Sequence, residues 1–334
     1  MHRPRKPLTR ARFLLSLAGM ALLLLLCLVL GTLFGAGGNA AGVDPVILYK
    51  VRLPRVLLAA VLGSALASAG VVFQAFLRNP LADPYVLGVS GGASLGGVAA
   101  LIFGLGGTQI GVARLGVPFF AFLGALGALV LIERIATVDG RFTVYTLLLT
   151  GAIFNAFSSA LIYFIQSIAS LEELQAIVFY LMGSVPSIGY GSVGLLAAAS
   201  LLATVALAAL AKDYNALSLG EEGASQIGVD VERLKRRTFL LGSLLTALAV
   251  SVAGLIGFVG LIIPHLLRLV LGPDHRLLLP ACFLGGGAFL VAADLAARMV
   301  IAPNEIPIGV VTALVGGPFF LFLLRSRGGG NGAF

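Results

Sequence analysis

The sequence predicts an all-α membrane protein with about ten transmembrane helices. Of its 334 residues, 59% are hydrophobic and 11% are charged, whereas a soluble domain carries about 25% charged residues. Apolar runs of about 20 residues recur along the chain, and each is long enough to cross a ~30 Å hydrocarbon core as a helix. Stretches such as LLSLAGMALLLLLCLVLGTLFGA lack the apolar–polar alternation of a membrane β-barrel. Residues 1–334 are therefore expected to form a single transmembrane domain.

Ten apolar segments define the expected spans. They are 12–35, 56–76, 85–104, 114–133, 143–167, 191–211, 237–257, 259–271, 277–300 and 307–325. The segment 259–271 is too short to cross a bilayer alone and is expected to be a half-helix buried against protein. The first segment is longer than the apolar core of a signal peptide, and no clear cleavage site follows it, which favours a retained helix.

Basic residues flank these spans unevenly. Threading ten spans alternately through a bilayer places most of the 22 Lys and Arg residues on one side, including the basic tail 1–11 and Arg325. The positive-inside rule assigns that side to the cytoplasm, so both termini are expected there. The same distribution provides no basic face for nucleic acid. The glycine-rich tail 326–334 has no assigned role.

Glycines recur at helical spacing in the segment GVSGGASLGG. Gly88, Gly92 and Gly96 are spaced four residues apart on one helix face, which favours close helix packing. A phosphate-binding glycine loop would need a preceding strand, whereas this segment is flanked by apolar spans.

The two cysteines and three histidines are scattered, so neither a metal site nor a disulfide framework is expected.

The longest polar interruption, 212–237, contains NALSLGEEGASQIGVDVERLKRR. Ser218 and Glu221 have the spacing of a capping box, Gly228 is suited to end a helix, and Asp230 can cap the next one. The interruption is therefore expected to form two short helices joined by a glycine, between the sixth and seventh spans. Charge places it on the cytoplasmic side.

Two capped helices with few linker residues favour a docking element over an ordinary solvated loop. The small residues Gly220, Gly223 and Ala224 would let another protein approach closely. The chain contains no G-x-x-x-x-G-K-[ST] motif, so if transport uses ATP, the nucleotide site must be on a partner. Nothing in the interruption indicates catalysis, and no cofactor is expected on this chain.

Arginines at the opposite side form a second candidate surface. Arg52 and Arg55 flank Pro54 at the entry to the second span, and Arg298 ends the ninth span on the same side. Interfacial snorkelling is one explanation, but three arginines on the side poor in positive charge suit docking of an acidic partner. Asp294, four residues before Arg298, favours a structural ion pair over a proton relay.

Four stretches of the sequence resemble a known family. They are RLPRVLLAAVLGSALASAGVVFQAFLRNPLADPYVLGVSGGASLG, LSLGEEGASQIGV, GFVGLIIPHLLR and NEIPIGVVTALVGGPFF. In order and spacing, over about residues 50–325, the chain resembles the permease subunits of bacterial ABC importers for iron chelates, haem and cobalamin. The resemblance implies a homodimer in the cytoplasmic (inner) membrane. It also implies two ATP-binding-cassette ATPase subunits on the cytoplasmic side and a periplasmic substrate-binding protein on the other.

The resemblance also implies roles for individual residues. It assigns contact with the ATPase to six residues of the interruption: Leu219, Gly220, Glu221, Ala224, Gln226 and Gly228. It assigns docking of the binding protein to Arg52, Arg55 and Arg298. Asn155, Ser158 and Ser159 in the fifth span become candidates for the translocation path, although small polar residues in spans also pack helices.

The implied function is ATP-driven import of a metal chelate. A ferric siderophore is the first expectation, followed by cobalamin or haem. The alternative is an ion-coupled secondary transporter, but such carriers usually couple through ionisable residues within spans, which are scarce here. An intramembrane enzyme would need a catalytic motif such as H-E-x-x-H, which the sequence lacks. The chain is therefore not expected to be an enzyme.

Overall fold

The computed structural model describes residues 9–35, 38–39, 44–105, 108–110, 113–138 and 140–328. The helices, in chain order, are α1 (Arg10–Leu33), α2 (Pro45–Ile47), α3 (Leu53–Phe76), α4 (Val89–Ile102), α5 (Val117–Ala136), α6 (Val144–Ile168), α7 (Leu171–Met182), α8 (Tyr190–Ala209), α9 (Ala211–Leu217), α10 (Glu221–Gln226), α11 (Val231–Ala253), α12 (Val259–Leu271), α13 (His275–Met299) and α14 (Ile308–Gly328). A π-helical turn, Leu48–Arg52, joins α2 to α3, and a 3₁₀ turn, Pro84–Leu87, precedes α4.

In the described part of the chain, three short antiparallel hairpins lie in the connections between helices. Each strand has two or three residues. The hairpins pair β1 (Phe34–Gly35) with β2 (Gly38–Asn39), β3 (Thr108–Ile110) with β4 (Ala113–Leu115), and β5 (Thr137–Val138) with β6 (Arg141–Phe142). In the last of these, Thr137 is opposite Phe142 and Val138 is opposite Arg141. This hairpin joins α5 to α6 and contacts the polar interruption described below.

Each of the ten predicted spans contains one apolar helix, which confirms the predicted fold class. In the described part of the chain, seven helices are long and apolar enough to cross a membrane, with Pro45–Phe76 counted as one continuous helix. The shorter apolar helices are α4, α12 and the segment Ile308–Leu321 of α14. The expected half-helix is α12, whose first half is buried.

The helix α7 lies outside all ten predicted spans. Its start is a complete capping box: the Ser170 hydroxyl accepts from the Glu173 backbone N–H, and the Glu173 carboxylate accepts from the Ser170 N–H at 2.8 Å. Gly183, with φ +77°, ends the helix. Only Ile177 of this helix is fully buried, so α7 is amphipathic and too short to cross a membrane.

The centre of the fold is α3, which packs against α8, α11, α12 and α13. Glycines allow these close contacts: a Cβ on Gly63 would collide with the Gly286 carbonyl of α13, and a Cβ on Gly70 with the Gly260 carbonyl of α12. The predicted packing role of Gly92 is confirmed, because its Cβ would lie 2.5 Å from a backbone oxygen of α5. Small residues thus let these helix backbones approach one another.

The peripheral helices present apolar side chains outward. The most apolar stretch of α1 contains no residue buried inside the chain, and most of the apolar residues of α6 and α8 are likewise not buried. Leu14, Leu15, Phe157 and Leu202 are among the exposed side chains. Because a membrane supplies an apolar environment, these faces need no further covering by the chain itself.

Candidate functional sites

We call residues 212–237 the coupling segment. Within it, Gly220 (φ +99°) precedes α10 and Gly228 (φ +90°) follows it. The Asp230 carboxylate accepts from the Arg233 N–H at 3.0 Å at the start of α11. Gly228 thus ends one helix and Asp230 caps the next, as predicted, and the second helix is the start of the long α11.

The predicted capping box in this segment is wrong. The Ser218 hydroxyl donates to the Asn215 carbonyl at 2.7 Å instead of accepting at the start of α10. Gly220 occupies the N-cap position, where it offers no side-chain acceptor. The left-handed conformation of Gly220 turns the chain between Ser218 and α10, so that α10 begins later than the capping-box spacing suggested.

The six residues predicted to face an ATPase do not share one environment. Leu219, Glu221, Gln226 and Gly228 are exposed. Ala224, in contrast, is fully buried, so its side chain is not part of the exposed surface, and its contact with an ATPase stays a prediction. The residue that sequence reasoning missed is Ile227, which is 63% exposed and forms, with Leu219, the large apolar side chains flanking α10.

A buried lysine connects the coupling segment to the rest of the molecule. Lys235 is 5% exposed, and its Nζ lies 2.7 Å from Glu221 Oε2 on α10 and 3.4 Å from Glu232 Oε1 on α11. The second carboxylate oxygen of Glu232 accepts from the Phe142 N–H at 2.6 Å. A continuous set of polar contacts therefore runs from α10 through Lys235 and Glu232 to β6.

A second contact reinforces this connection. Arg236 Nε lies 2.5 Å from Glu133 Oε1 near the end of α5. The Phe142 ring is buried and packs against Phe239 of α11. None of these contacts was predicted from the sequence, because the partners on α5 and β6 are about ninety or more positions away.

The start of the coupling segment is held by α13. The Asn215 side-chain amide donates to Asp274 Oδ1 at 2.8 Å, and its oxygen accepts from the His275 N–H at 2.9 Å. A hydrogen bond from the Arg276 guanidinium lowers the pKa of Asp274 to about 2. Asp274 is therefore ionised at neutral pH and remains an acceptor for Asn215.

At the other end of α13, charged side chains form what we call the rim cluster: Arg52, Arg55, Asp294, Arg298 and Glu305. Asp294, whose side chain is 1% exposed, lies 3.0 Å from Arg55 Nη2 and 2.9 Å from Arg298 Nε. The predicted Asp294–Arg298 ion pair is thus confirmed. Arg55 also contacts Glu305 at 2.7 Å, a partner that sequence reasoning missed.

Two of the three arginines predicted to dock an acidic partner are buried. Arg52 is 7% exposed and Arg298 is 3% exposed. Arg298 donates to the Gly31 carbonyl at 2.9 Å and to the Phe34 carbonyl at 3.3 Å. The physical reason is the buried carboxylate, because a charge inside a protein requires a close counter-charge and satisfied hydrogen bonds. Arg55 keeps a partly exposed side chain.

A cavity of about 490 Å³ is a third candidate site. The predicted path residues Asn155, Ser158 and Ser159 all line it, together with residues of α4, of the 3₁₀ turn and of the connection between α11 and α12. Its volume falls in the range of small-molecule sites, ~300–1,000 Å³. The structure therefore brings the three predicted residues together at one cavity.

The broken connection between α11 and α12 forms one wall of this cavity. Phe258 adopts φ +69°, and the Tyr85 hydroxyl donates to the Ile256 carbonyl at 2.9 Å while accepting from its N–H at 3.0 Å. Asp83 accepts from the backbone N–H groups of Tyr85 and Phe258. These contacts satisfy the backbone groups that the helix break leaves without helical partners.

Comparison with known proteins places these features in a family. The family model described as the FecCD transport family matches residues 11–326. The hemin transport system permease protein HmuU of Yersinia pestis is 41% identical, over 84% of this chain and 84% of that protein. The cobalamin import system permease protein BtuC of Halobacterium salinarum is 45% identical, over 84% of this chain and 74% of that protein.

A solved structure agrees with these relatives. It is described as an inward-facing conformation of a metal-chelate type ABC transporter, and it superposes with a TM-score of 0.83 at 34% identity. The alignment covers 94% of this chain and 99% of that one. The chain therefore belongs to the FecCD transport family and is a permease of an ABC transporter.

Proposed function

We propose that this chain forms a homodimeric permease in the bacterial cytoplasmic membrane, with both termini in the cytoplasm. Two ATPase subunits, which bind ATP and Mg²⁺, drive it, and a periplasmic binding protein delivers the cargo. The observation that carries the proposal is the coupling segment, an exposed short helix whose polar contacts reach α5 and β6. An ion-coupled carrier has no need of such a segment, and no comparison supports that alternative.

The proposed cargo is a metal chelate, with a ferric siderophore first and cobalamin or haem next. The relatives named for hemin and cobalamin support this class but differ in cargo. Asn155, Ser158 and Ser159 are proposed to line the path because all three face one cavity. The exposed apolar side chains of α6 and α14, among them Phe157 and Leu314, suit lipid and a second copy alike, so the proposed homodimer rests on the family.

For the binding protein, the proposed docking point narrows to Arg55. Arg52 and Arg298 remain in the proposed docking region, but their burial suits them to hold the rim in shape. Arg55 is partly exposed and is shared between Asp294 and Glu305. Because Glu305 is half-exposed and contacts Arg55 through Nη1 alone, an incoming carboxylate could replace it on the guanidinium.

Replacing Gln226 by arginine tests the ATPase assignment. Gln226 is exposed on α10, so the change should leave folding intact while placing a long charged side chain in the proposed contact. We expect ATP-driven uptake in proteoliposomes to fall at least about tenfold, because a misplaced charge in an interface costs several kcal/mol. The matched control is Glu172→Arg on the exposed start of α7. Equal uptake by both variants would contradict the assignment.

A further inference from the structure

The start of α1 and the end of α12 meet through a direct contact. The Arg12 guanidinium of α1 donates through Nη2 to the Leu271 carbonyl at the end of α12, at 2.6 Å. Further along both helices, Met20 of α1 and Leu267 of α12 approach Gly285 of α13. Their nearest atoms lie 3.7 Å and 3.0 Å from the position that a Cβ on this glycine would occupy. The two helices therefore lie side by side on α13.

Positive charge predominates where these helices meet. Residues 10–15 and 266–276, which we call the α1–α12 junction, contain four arginines and one carboxylate, that of Asp274. Arg10 and Arg276 are exposed at its surface. Since guanidinium groups pair readily with phosphate oxygens, the junction suits a ligand that carries a phosphate and a net negative charge.

The junction also lies at a boundary between apolar and polar surface. Leu14 and Leu15 of α1 and Leu269 and Val270 of α12 are between 65% and 74% exposed, which suits contact with acyl chains. On its other side, the start of α13 holds Asn215 of the coupling segment by hydrogen bonds. A ligand that matches both surfaces has an anionic head and an apolar tail.

We propose that the α1–α12 junction binds an anionic phospholipid. Its headgroup lies against the arginines, and its acyl chains follow the exposed side chains of α1 and α12. Clusters of basic residues next to a membrane span attract anionic headgroups, and the long arginine side chains reach the interface from the helix ends. The proposal is independent of the transported cargo, because it concerns the lipid that surrounds the chain.

The end of α5 provides a matched site on the same side of the molecule. Arg134 lies there in the last turn and is exposed, but Glu133 precedes it and offsets its charge. Glu133 also contacts Arg236 at the start of α11, which places this end of α5 beside the coupling segment. An isolated interfacial arginine of this kind is not expected to select among headgroups.

The test measures which lipid lies beside each site. The chain contains no tryptophan, so Leu269→Trp supplies a single fluorescent reporter at the junction and Leu131→Trp supplies one at the end of α5. Both leucines are exposed. The full chain is reconstituted in dioleoylphosphatidylcholine vesicles that contain increasing fractions of dibrominated phosphatidylglycerol or dibrominated phosphatidylcholine. Quenching by bromine then gives the relative binding constant of the two lipids at each position.

At Leu269→Trp, we expect phosphatidylglycerol to bind at least about threefold more tightly than phosphatidylcholine, because several arginines act on its net charge. At Leu131→Trp the ratio should be close to one. Adding Arg12→Gln to Leu269→Trp should lower the ratio at least about twofold. Arg233→Gln is the matched control, because this arginine is exposed on the coupling segment, and it should leave the ratio unchanged.

Equal ratios at the two reporter positions would overturn the proposal, because they would indicate general attraction to the membrane surface. Loss of the preference on adding soluble glycerol phosphate at constant ionic strength would also overturn it, since the site would then bind free phosphate. If Arg12→Gln disturbs α12, the double variant Arg10→Gln with Arg276→Gln replaces it, because both side chains are exposed. An unchanged ratio in that variant would likewise contradict the proposal.

Discussion

Replacing Asp294 by alanine should lower the free energy of unfolding by about 3–5 kcal/mol, because it leaves buried positive charge uncompensated. The Asp294 carboxylate neutralises Arg55 and Arg298 at once, and Arg298 is almost completely buried. Chemical denaturation of the purified chain in detergent micelles measures the change. The effect is the largest that we expect from any single substitution in the molecule.

The controls separate the buried charge from the loss of a side chain. Glu222→Ala removes an exposed carboxylate of α10 and should change stability by less than about 1 kcal/mol. The double variant Asp294→Leu with Arg298→Met replaces the ion pair by apolar groups of similar volume, and it should recover most of the loss. If Asp294→Ala unfolds with wild-type stability, the rim cluster does not hold the fold as described.

Replacing Lys235 by methionine should uncouple transport from ATP hydrolysis while leaving the fold intact. The change removes the cation that joins Glu221 of α10 to Glu232 of α11, and the two carboxylates are half-exposed, so water can solvate them. We expect cargo transported per ATP hydrolysed to fall at least about fivefold, the lower range of coupling between distant sites. Reconstituted transport and phosphate release, measured together, give this ratio.

Arg233→Met is the matched control for that experiment. Arg233 lies on the same helix and pairs with Asp230 at 2.9 Å, but it is exposed and no contact to α10 is involved. Its ratio of transport to hydrolysis should stay at the wild-type value. An unchanged ratio in Lys235→Met, with ATPase subunits still bound, would show that movement of α10 reaches α5 and β6 by another route.

The ten apolar spans were predictable because burial in lipid demands long apolar helices, which composition reveals directly. The helix α7 was not, because at twelve residues it is too short to stand out as a span and only its capping box marks it. The opposite error occurred in the coupling segment, where Ser218 and Glu221 have capping-box spacing but the chain turns at Gly220. Local spacing is thus informative only when the backbone between the two residues is helical.

The contacts of the candidate functional residues also divide into those local in sequence, which could be predicted, and those distant in sequence, which could not. The Asp294–Arg298 pair is four residues apart on one helix and could be predicted from spacing. The contacts of Asp294 with Arg55, and of Glu232 with the Phe142 N–H, join residues far apart in sequence. They depend on how the helices pack, which hydrophobic patterns do not specify. The inward orientation of Arg52 and Arg298 escaped prediction for this reason.

The cavity shows the same dependence on tertiary structure. Asn155 and Ser158 were identified on the fifth span, whereas Asp83 and Tyr85 were not, although they line the same space. Tyr85 reaches the cavity wall through hydrogen bonds to Ile256, at the break between α11 and α12. The role of Tyr85 depends on the break facing the 3₁₀ turn before α4, and the sequence alone does not specify that arrangement.

The central claim is ATP-driven import, and uptake by proteoliposomes tests it most directly. The vesicles would hold this chain with its ATPase subunits and binding protein, and a ferric siderophore, haem and cobalamin would be offered in parallel. We predict that one of these accumulates when ATP is present and that none accumulates under an ion gradient alone. Uptake driven by an ion gradient, without ATP or the ATPase subunits, would contradict the account.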